Sequence, residues 1–227
     1  MKKSIPIIVA ALLSSITAQA NAALLITEVA PWASGNAPLY ATDWFELTNT
    51  GASALNISGW QMDDSSNGSA KVALTGITSI AAGESVIFTE NAATAAFLNT
   101  WFGASAPVGL QIGNYTGAGV GLGTGGDAVN IYNSVANGSV LQANVTFGTS
   151  DALAPYQTFD NAAGLNNAAI STLSVVGVNG AFIALNDMNE IGSPGKIAAA
   201  VPEPETYVML LAGLGFWLWN SSSNFTW

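Results

Sequence analysis

The sequence predicts an all-β protein, a sandwich or barrel, and three observations carry that expectation. Short segments alternate apolar and polar side chains, the period of a half-buried strand. Turn-forming residues separate those segments at short intervals. Gly, Ala, Ser, Thr and Asn dominate the long middle of the 227-residue chain, and strong helix periodicity is confined to one stretch.

Taken in order, Leu24 to Ala30 and Asp43 to Asn49 read as the first two strands. In the second, Phe45 and Leu47 face one way and Trp44, Glu46 and Thr48 the other, because successive side chains of a strand point to opposite faces. From Leu55 to Met62 the apolar phase slips, from odd positions (Leu55, Ile57) to even ones (Trp60, Met62), and a bulge or bend at Ser58-Gly59 would absorb the slip. Glu84 to Thr89 is a short strand entered through Ala82-Gly83. Residues 91–103 form the one expected helix: alanine-rich, with Phe97, Leu98 and Trp101 at helical spacing and Gly103 as a stop. Residues 127–133 and 139–147 read as a hairpin, since Leu141–Phe147 alternates cleanly and Asn137-Gly138 adopts the positive φ a turn needs. The stretch 149–170 has weak periodicity and is expected to be a long loop or insertion, with strands resuming near 174–178 and 181–185. The expected core is Phe45, Leu47, Trp60, Val129, Ile131, Val145 and Phe147.

Composition excludes several functions. The chain has no cysteine and no histidine, so disulfides, thiol chemistry and Ser/His or Cys/His catalysis are absent. Its four basic residues are all lysines against 14 acidic residues, for a net charge of −10. Nucleic acid needs clustered Lys or Arg, and an anionic membrane surface would repel this chain.

The two ends carry addresses. Lys2 and Lys3 precede an apolar run from Ile5 to Ile16, and Ala20 and Ala22 occupy the small-residue positions of a signal-peptidase site, so residues 1–22 read as a cleaved signal peptide. At the other end, Val201 to Thr206 is held extended by its X-Pro pairs, and Tyr207 to Trp219 is uncharged but shorter than the about 20 residues of a lone membrane span. Pro202-Glu203-Pro204 followed by a short apolar segment resembles the PEP-CTERM sorting signal. That resemblance implies export in a Gram-negative bacterium that makes exopolysaccharide, an exosortase-type enzyme as partner, transient membrane association of the tail (residues 199–227), and residence at the cell surface or in the extracellular matrix. The tail departs from that pattern by ending Asn220 to Trp227 without a basic cluster, which points to a variant or frame-altered end.

Between the ends, Ile26-Thr27-Glu28-Val29, Asp43 to Gly51 and Leu55-Asn56-Ile57-Ser58-Gly59-Trp60 resemble the opening strands of a lamin-tail domain. Ile80 to Glu84, Gly126 to Tyr132 and the closing Gly192-Ser193-Pro194-Gly195 continue the likeness in order, while 149–185 matches poorly. The resemblance implies an immunoglobulin-like β-sandwich over 23–198, with one short helix and a loop-rich insertion, serving as an extracellular interaction or structural module without shared catalytic residues.

Four constellations merit a chemical reading. Gly121 to Gly126 spells G-x-G-x-x-G, but a strand pattern follows it where a dinucleotide site needs a helix. Asp63, Ser65 and Asn67 alternate before Gly68 like the first half of a calcium loop, although the twelfth position is Leu74 rather than Glu. Calcium at a surface adhesive module is therefore one alternative, and a solvated turn is the other. Trp32, Tyr40 and Trp44 are the candidate sugar-stacking platform of a carbohydrate-binding module for exopolysaccharide, unless they pack at the edge of the core. Glu28 neighbours Glu46 if their strands pair, and such carboxylates serve either a glycosidase-like pair or a solvated face. Five Asn-X-Ser/Thr triplets, at Asn56, Asn67, Asn114, Asn137 and Asn144, follow from a composition rich in these residues.

Overall fold

The computed structural model describes residues 24–65, 71–117, 119–164 and 168–196. The first half contains β1 (Leu24–Ala30), α1 (Ala33–Asn36), β2 (Trp44–Asn49), β3 (Leu55–Asn56), β4 (Gln61–Asp63), β5 (Val72–Thr75), β6 (Ser79–Ile80), β7 (Ser85–Thr89) and α2 (Thr94–Phe102). The second half contains β8 (Ile112–Tyr115), β9 (Asp127–Tyr132), β10 (Leu141–Phe147), β11 (Tyr156–Gln157), β12 (Phe159–Asp160), β13 (Ala168–Ile170), β14 (Phe182–Ile183) and β15 (Glu190–Gly192).

Ten strands form one ladder, ordered β12-β1-β2-β7-β8-β5-β4-β9-β10-β13. It is antiparallel except at β7–β8 and β10–β13. β5 pairs with β8 on one side and β4 on the other, so it joins the two layers of a sandwich. The ladder folds over until its ends meet: Phe147 of β10 lies against Phe159 of β12, with ring centroids 5.3 Å apart. All seven expected core residues lie in the interior between the layers, joined there by Ile26, Val29, Met62, Phe88 and Tyr115. The fold is thus the all-β sandwich expected from the alternation, immunoglobulin-like as the resemblance implied.

A bulge in β1 explains how so short a strand serves two faces. The pairing with β2 slips between Ile26 and Glu28. Ile26 and Val29 therefore both enter the core although they are three residues apart, and Glu28 turns to the opposite face with Glu46.

The structure bears out the bend at Ser58-Gly59 and corrects two other local expectations. The phase slip at 55–62 is a turn between strands of different sheets: β3 pairs with β6, β4 pairs with β5 and β9, and Gly59 takes a φ of +73° between them. The stretch 149–170 is not a bare insertion. β12 closes the ladder beside β1, β13 closes it beside β10, and Asn161 Nδ2 donates to the Ile26 carbonyl at 2.7 Å. Weak periodicity concealed these strands because two- and three-residue pieces are too short to show a period. Residues 174–178 form a turn rather than a strand, and only Phe182–Ile183 of the later segment is extended.

The outer face of β1 and β2 is also covered. Trp32, Trp44, Ile87, Phe97, Trp101 and Phe102 form a second apolar cluster, built where α1, α2 and residues 182–184 pack onto the sheet. Every residue of β2 is buried in consequence. The alternation along 43–49 marks two different cores, not a core face and a solvent face.

Candidate functional site

The chemistry-bearing side chains converge on that covered face. In register, Asp160 of β12 stands beside Glu28 of β1, and Glu28 beside Glu46 of β2. Three acids thus form a row across three strands, each nearly or wholly buried. Burial alone makes such charges costly. The chain supplies hydroxyl and backbone donors in compensation. Glu28 accepts from Thr158 Oγ1 at 2.5 Å and from Ser193 N at 2.7 Å on Oε1, and from Ser193 Oγ at 3.1 Å on Oε2. Glu46 accepts from Thr27 Oγ1 at 2.6 Å and from Gly195 N at 2.6 Å. Thr48, Ser85 and Ser174 extend the hydroxyl network behind them.

Burial is the largest influence on both glutamates and pushes their carboxyls up, to about 7 for Glu28 and about 8 for Glu46. Like charge adds to it, from Asp160 on Glu28 and from Glu28 on Glu46, while the hydroxyl and N–H donors oppose it. The pair therefore retains proton occupancy near neutral pH.

Both acids grip one segment. Ser193 and Gly195 belong to the segment after β15, so the row clasps that segment against the sandwich. Gly192 permits this approach: a Cβ there would stand 2.7 Å from Glu28 Oε1 and 3.0 Å from the Trp101 ring. A surface cleft of about 350 Å³ opens beside the clasp, lined by Gly83, Glu84, Ser85, Val108, Leu110 and Gly195. The carboxyl oxygens lie behind its wall, with Glu28 and Glu46 each 1% exposed. A glycosidase pair must touch substrate and water, and these oxygens are sealed from both. The solvated-face alternative fails too: the acids that sequence placed at the surface are interior.

A fourth acid, Glu190, sits in the aromatic cluster. Tyr40 donates its hydroxyl to Glu190 Oε2 at 2.8 Å, and Trp44 Nε1 donates to Tyr40 Oη at 3.3 Å. Burial pushes Glu190 up to about 8 and drives the Tyr40 phenol well above its ordinary range. Asp43, beside this cluster, accepts from Ser34 N at 2.7 Å and Ser34 Oγ at 3.1 Å, pinning α1, and burial raises it to about 7.

These facts overturn the sugar platform. Trp32 and Trp44 are 0% exposed and Tyr40 is 6% exposed. Trp44 packs edge-on against Phe97 and Trp101, and Trp32 stacks on Tyr156 while donating to the Gln157 carbonyl. An aromatic ring binds sugar through a free face, and these faces are taken by neighbouring rings.

The calcium-loop residues are only partly brought together. Asp63 is buried at the end of β4 and accepts from Asp64 N at 3.0 Å. Ser65 N donates to Asp127 Oδ1 at 2.8 Å, and Asn67 lies outside the described residues. Among the described residues no group of three or more His, Cys, Asp or Glu stands close enough to hold a metal ion. Asp127 explains the glycine-rich loop as well: its Oδ2 accepts from Gly123 N at 2.8 Å, which ties 121–126 to the start of β9. The segment after that loop is the expected strand, β9, rather than the helix a dinucleotide site needs.

Sequence reasoning found the Glu28–Glu46 adjacency but missed Asp160, Thr158, Ser193 and Glu190. They lie 130 to 165 positions from Glu28, in segments without periodicity, and no local signal marks them. Ala20 and Ala22 of the expected signal peptide and Pro202, Glu203 and Pro204 of the sorting motif lie outside the described residues.

The sandwich, with its buried polar network, defines an immunoglobulin-like β domain. Residues 17–149 match the Lamin Tail Domain family, more than half of the chain, and the chain belongs to that family. Residues 200–220 match the PEP-CTERM protein-sorting motif. No curated protein and no solved structure matches the chain. The lamin tail domain is a non-enzymatic domain, and the motif marks the chain for export and cell-surface sorting in Gram-negative bacteria by an exosortase-type enzyme.

Proposed function

We propose that this chain is a secreted, non-catalytic interaction or structural module of the cell surface or extracellular matrix, delivered by its own C-terminal address. The observation that carries the reading is the order of parts. A closed sandwich ends in a clasp at Ser193 and Gly195, and the sorting motif begins at residue 200, five residues beyond the clasp. The domain proper is residues 23–198, preceded by a signal peptide cut after Ala22; β1 begins at Leu24, immediately past that cut. With the acids turned inward, the domain offers its partner a surface rather than a reaction centre.

Cell fractionation with intact-mass measurement of the native protein tests this reading. The expected product starts at Ala23, lacks the tail, and is found at the cell surface, in the matrix or in the medium. A chain that keeps residues 1–22 and stays in the cytoplasm would sink the proposal.

A further inference from the structure

The segment that follows β15, residues 193–196, is held almost wholly by acids. Ser193 donates its N–H to Glu28 Oε1 at 2.7 Å and its hydroxyl to Glu28 Oε2 at 3.1 Å, and Gly195 donates its N–H to Glu46 Oε2 at 2.6 Å. Lys196 N bonds back to the Ser193 carbonyl at 3.0 Å, within the segment itself. Among the described residues, the hydrogen bonds that tie 193–196 to the rest of the domain all end on these two carboxyls. β15, by contrast, is anchored by backbone pairing to β11 and β14. The segment is thus a strap with one fixed end. Its Gly195 lines the surface cleft, in front of the Glu46 carboxyl that it touches.

The two carboxyls beneath the strap have no cation to balance them. Glu28 and Glu46 are direct partners across β1 and β2, where like charges destabilise a sheet. Asp160 beside Glu28 is a third acid. Glu84, at the cleft, accepts from Ala81 N and Gln111 Nε2, and Glu190 of β15 is turned to Tyr40. α2, β7 and β10 carry no ionisable side chain. Lys196 sets its ammonium over the Phe182 ring, 5.7 Å from the centroid, and Lys71 stands over Tyr132 at 4.5 Å. A carboxylate accepts an N–H at least as well as a carboxylic acid does, so loss of a proton does not by itself loosen the strap. What it creates is two adjacent buried charges with only hydroxyl and N–H donors around them. Separating β1 from β2 would hydrate those charges but dismantle the core. Lifting 193–196 hydrates them for the loss of three hydrogen bonds and the burial of Pro194.

We propose that residues 193–196 are a proton-dependent strap, closed over Glu28 and Glu46 while the pair is protonated and lifted when both carboxyls are charged, which opens the cleft at Gly195 to the acids behind it. Burial raises the two carboxyls to about 7 and about 8, so the closed state holds at low pH and is lost as pH rises through that window. The strap stands between β15 and the sorting motif that begins at residue 200, so the device acts on the stretch of chain just ahead of that motif.

Amide hydrogen exchange on the purified full exported chain, followed by NMR with each rate divided by the intrinsic rate at that pH, tests the proposal. From about pH 6 to about pH 9 the protection of the Ser193 and Gly195 amides is expected to fall about tenfold or more, the ratio for one carboxyl returning from about 7 to its ordinary 4.5. It should part from that of the 127–147 hairpin, which stays protected. Glu46→Gln, which leaves one of the two carboxyls under the strap, should make the fall smaller. Equal protection of Ser193, Gly195 and the hairpin at every pH overturns the proposal, because the segment then opens only with the whole domain. So does protection of Ser193 and Gly195 that is unchanged across the range, or a fall in Glu46→Gln as large as in the unsubstituted chain.

Discussion

Single residues here carry more than their own volume. Phe45 stacks on Phe88 and leans on Tyr115, with centroids 5.7 and 5.3 Å away, and is wholly buried. Phe45→Ala is expected to cost about 3–5 kcal/mol in urea unfolding, the cost of a large aromatic cavity. Trp44→Ala is expected to fall in the same range, because its ring is a keystone of the second cluster rather than a sugar platform. Gly113 poses the opposite problem: a Cβ would stand 2.4 Å from the Thr75 carbonyl oxygen and 2.6 Å from the Phe88 ring. Gly113→Ala should therefore destabilise by about 1–3 kcal/mol through overpacking, read from the same unfolding curves. Alternation alone identified Phe45 as core, whereas the close approach at Gly113 depends on β8 lying between β7 and β5, which no local pattern announces.

At the scale of elements, the decisive feature is the register of β12, β1 and β2, which aligns Asp160, Glu28 and Glu46. Glu28, Glu46, Glu190 and Asp43 all have carboxyls raised above their ordinary values, to about 7 or 8. The folded state then binds more protons than the unfolded chain across that window. The stability these groups contribute is complete below their ordinary values near 4 and is lost as pH rises through about 7 to 8. The urea midpoint is accordingly expected to fall between pH 5 and pH 9, the reverse of acid denaturation. Glu46→Gln should flatten that fall by removing one member of the like-charged pair. At pH 5, where the Glu46 carboxyl is itself neutral, the amide is expected to leave the midpoint nearly unchanged, its oxygen accepting from Gly195 N and its NH2 facing the Thr27 hydroxyl. A midpoint that rises with pH in the unsubstituted protein would contradict this account of the row.

For the whole molecule, the family match ends at residue 149, yet the fold continues to Lys196. β12 occupies one end of the ladder and β13 the other, and Thr158 and Ser193 supply donors to Glu28. A chain ending at Ser150 would leave that acid buried without those donors and both sheet ends bare. It is expected to lack the cooperative unfolding transition and near-ultraviolet circular dichroism of the full domain. Retention of both would show that 150–196 is an appendage.

The sequence by itself determined the fold class, the strands with a visible period, the seven-residue core, a helix within 91–103 and the C-terminal sorting motif. These are local properties: a period of two, a run of alanines, a proline motif before an apolar stretch. Only the tertiary structure decided which faces were wet. Glu28, Glu46, Trp32, Tyr40 and Trp44 read as surface residues because one side of an alternating strand is normally solvated. Here α2 and residues 182–192 return from far along the chain to cover that side, and the carboxyls become an internal clasp. Burial of this kind is a contact between distant segments, and a local pattern has no term for it.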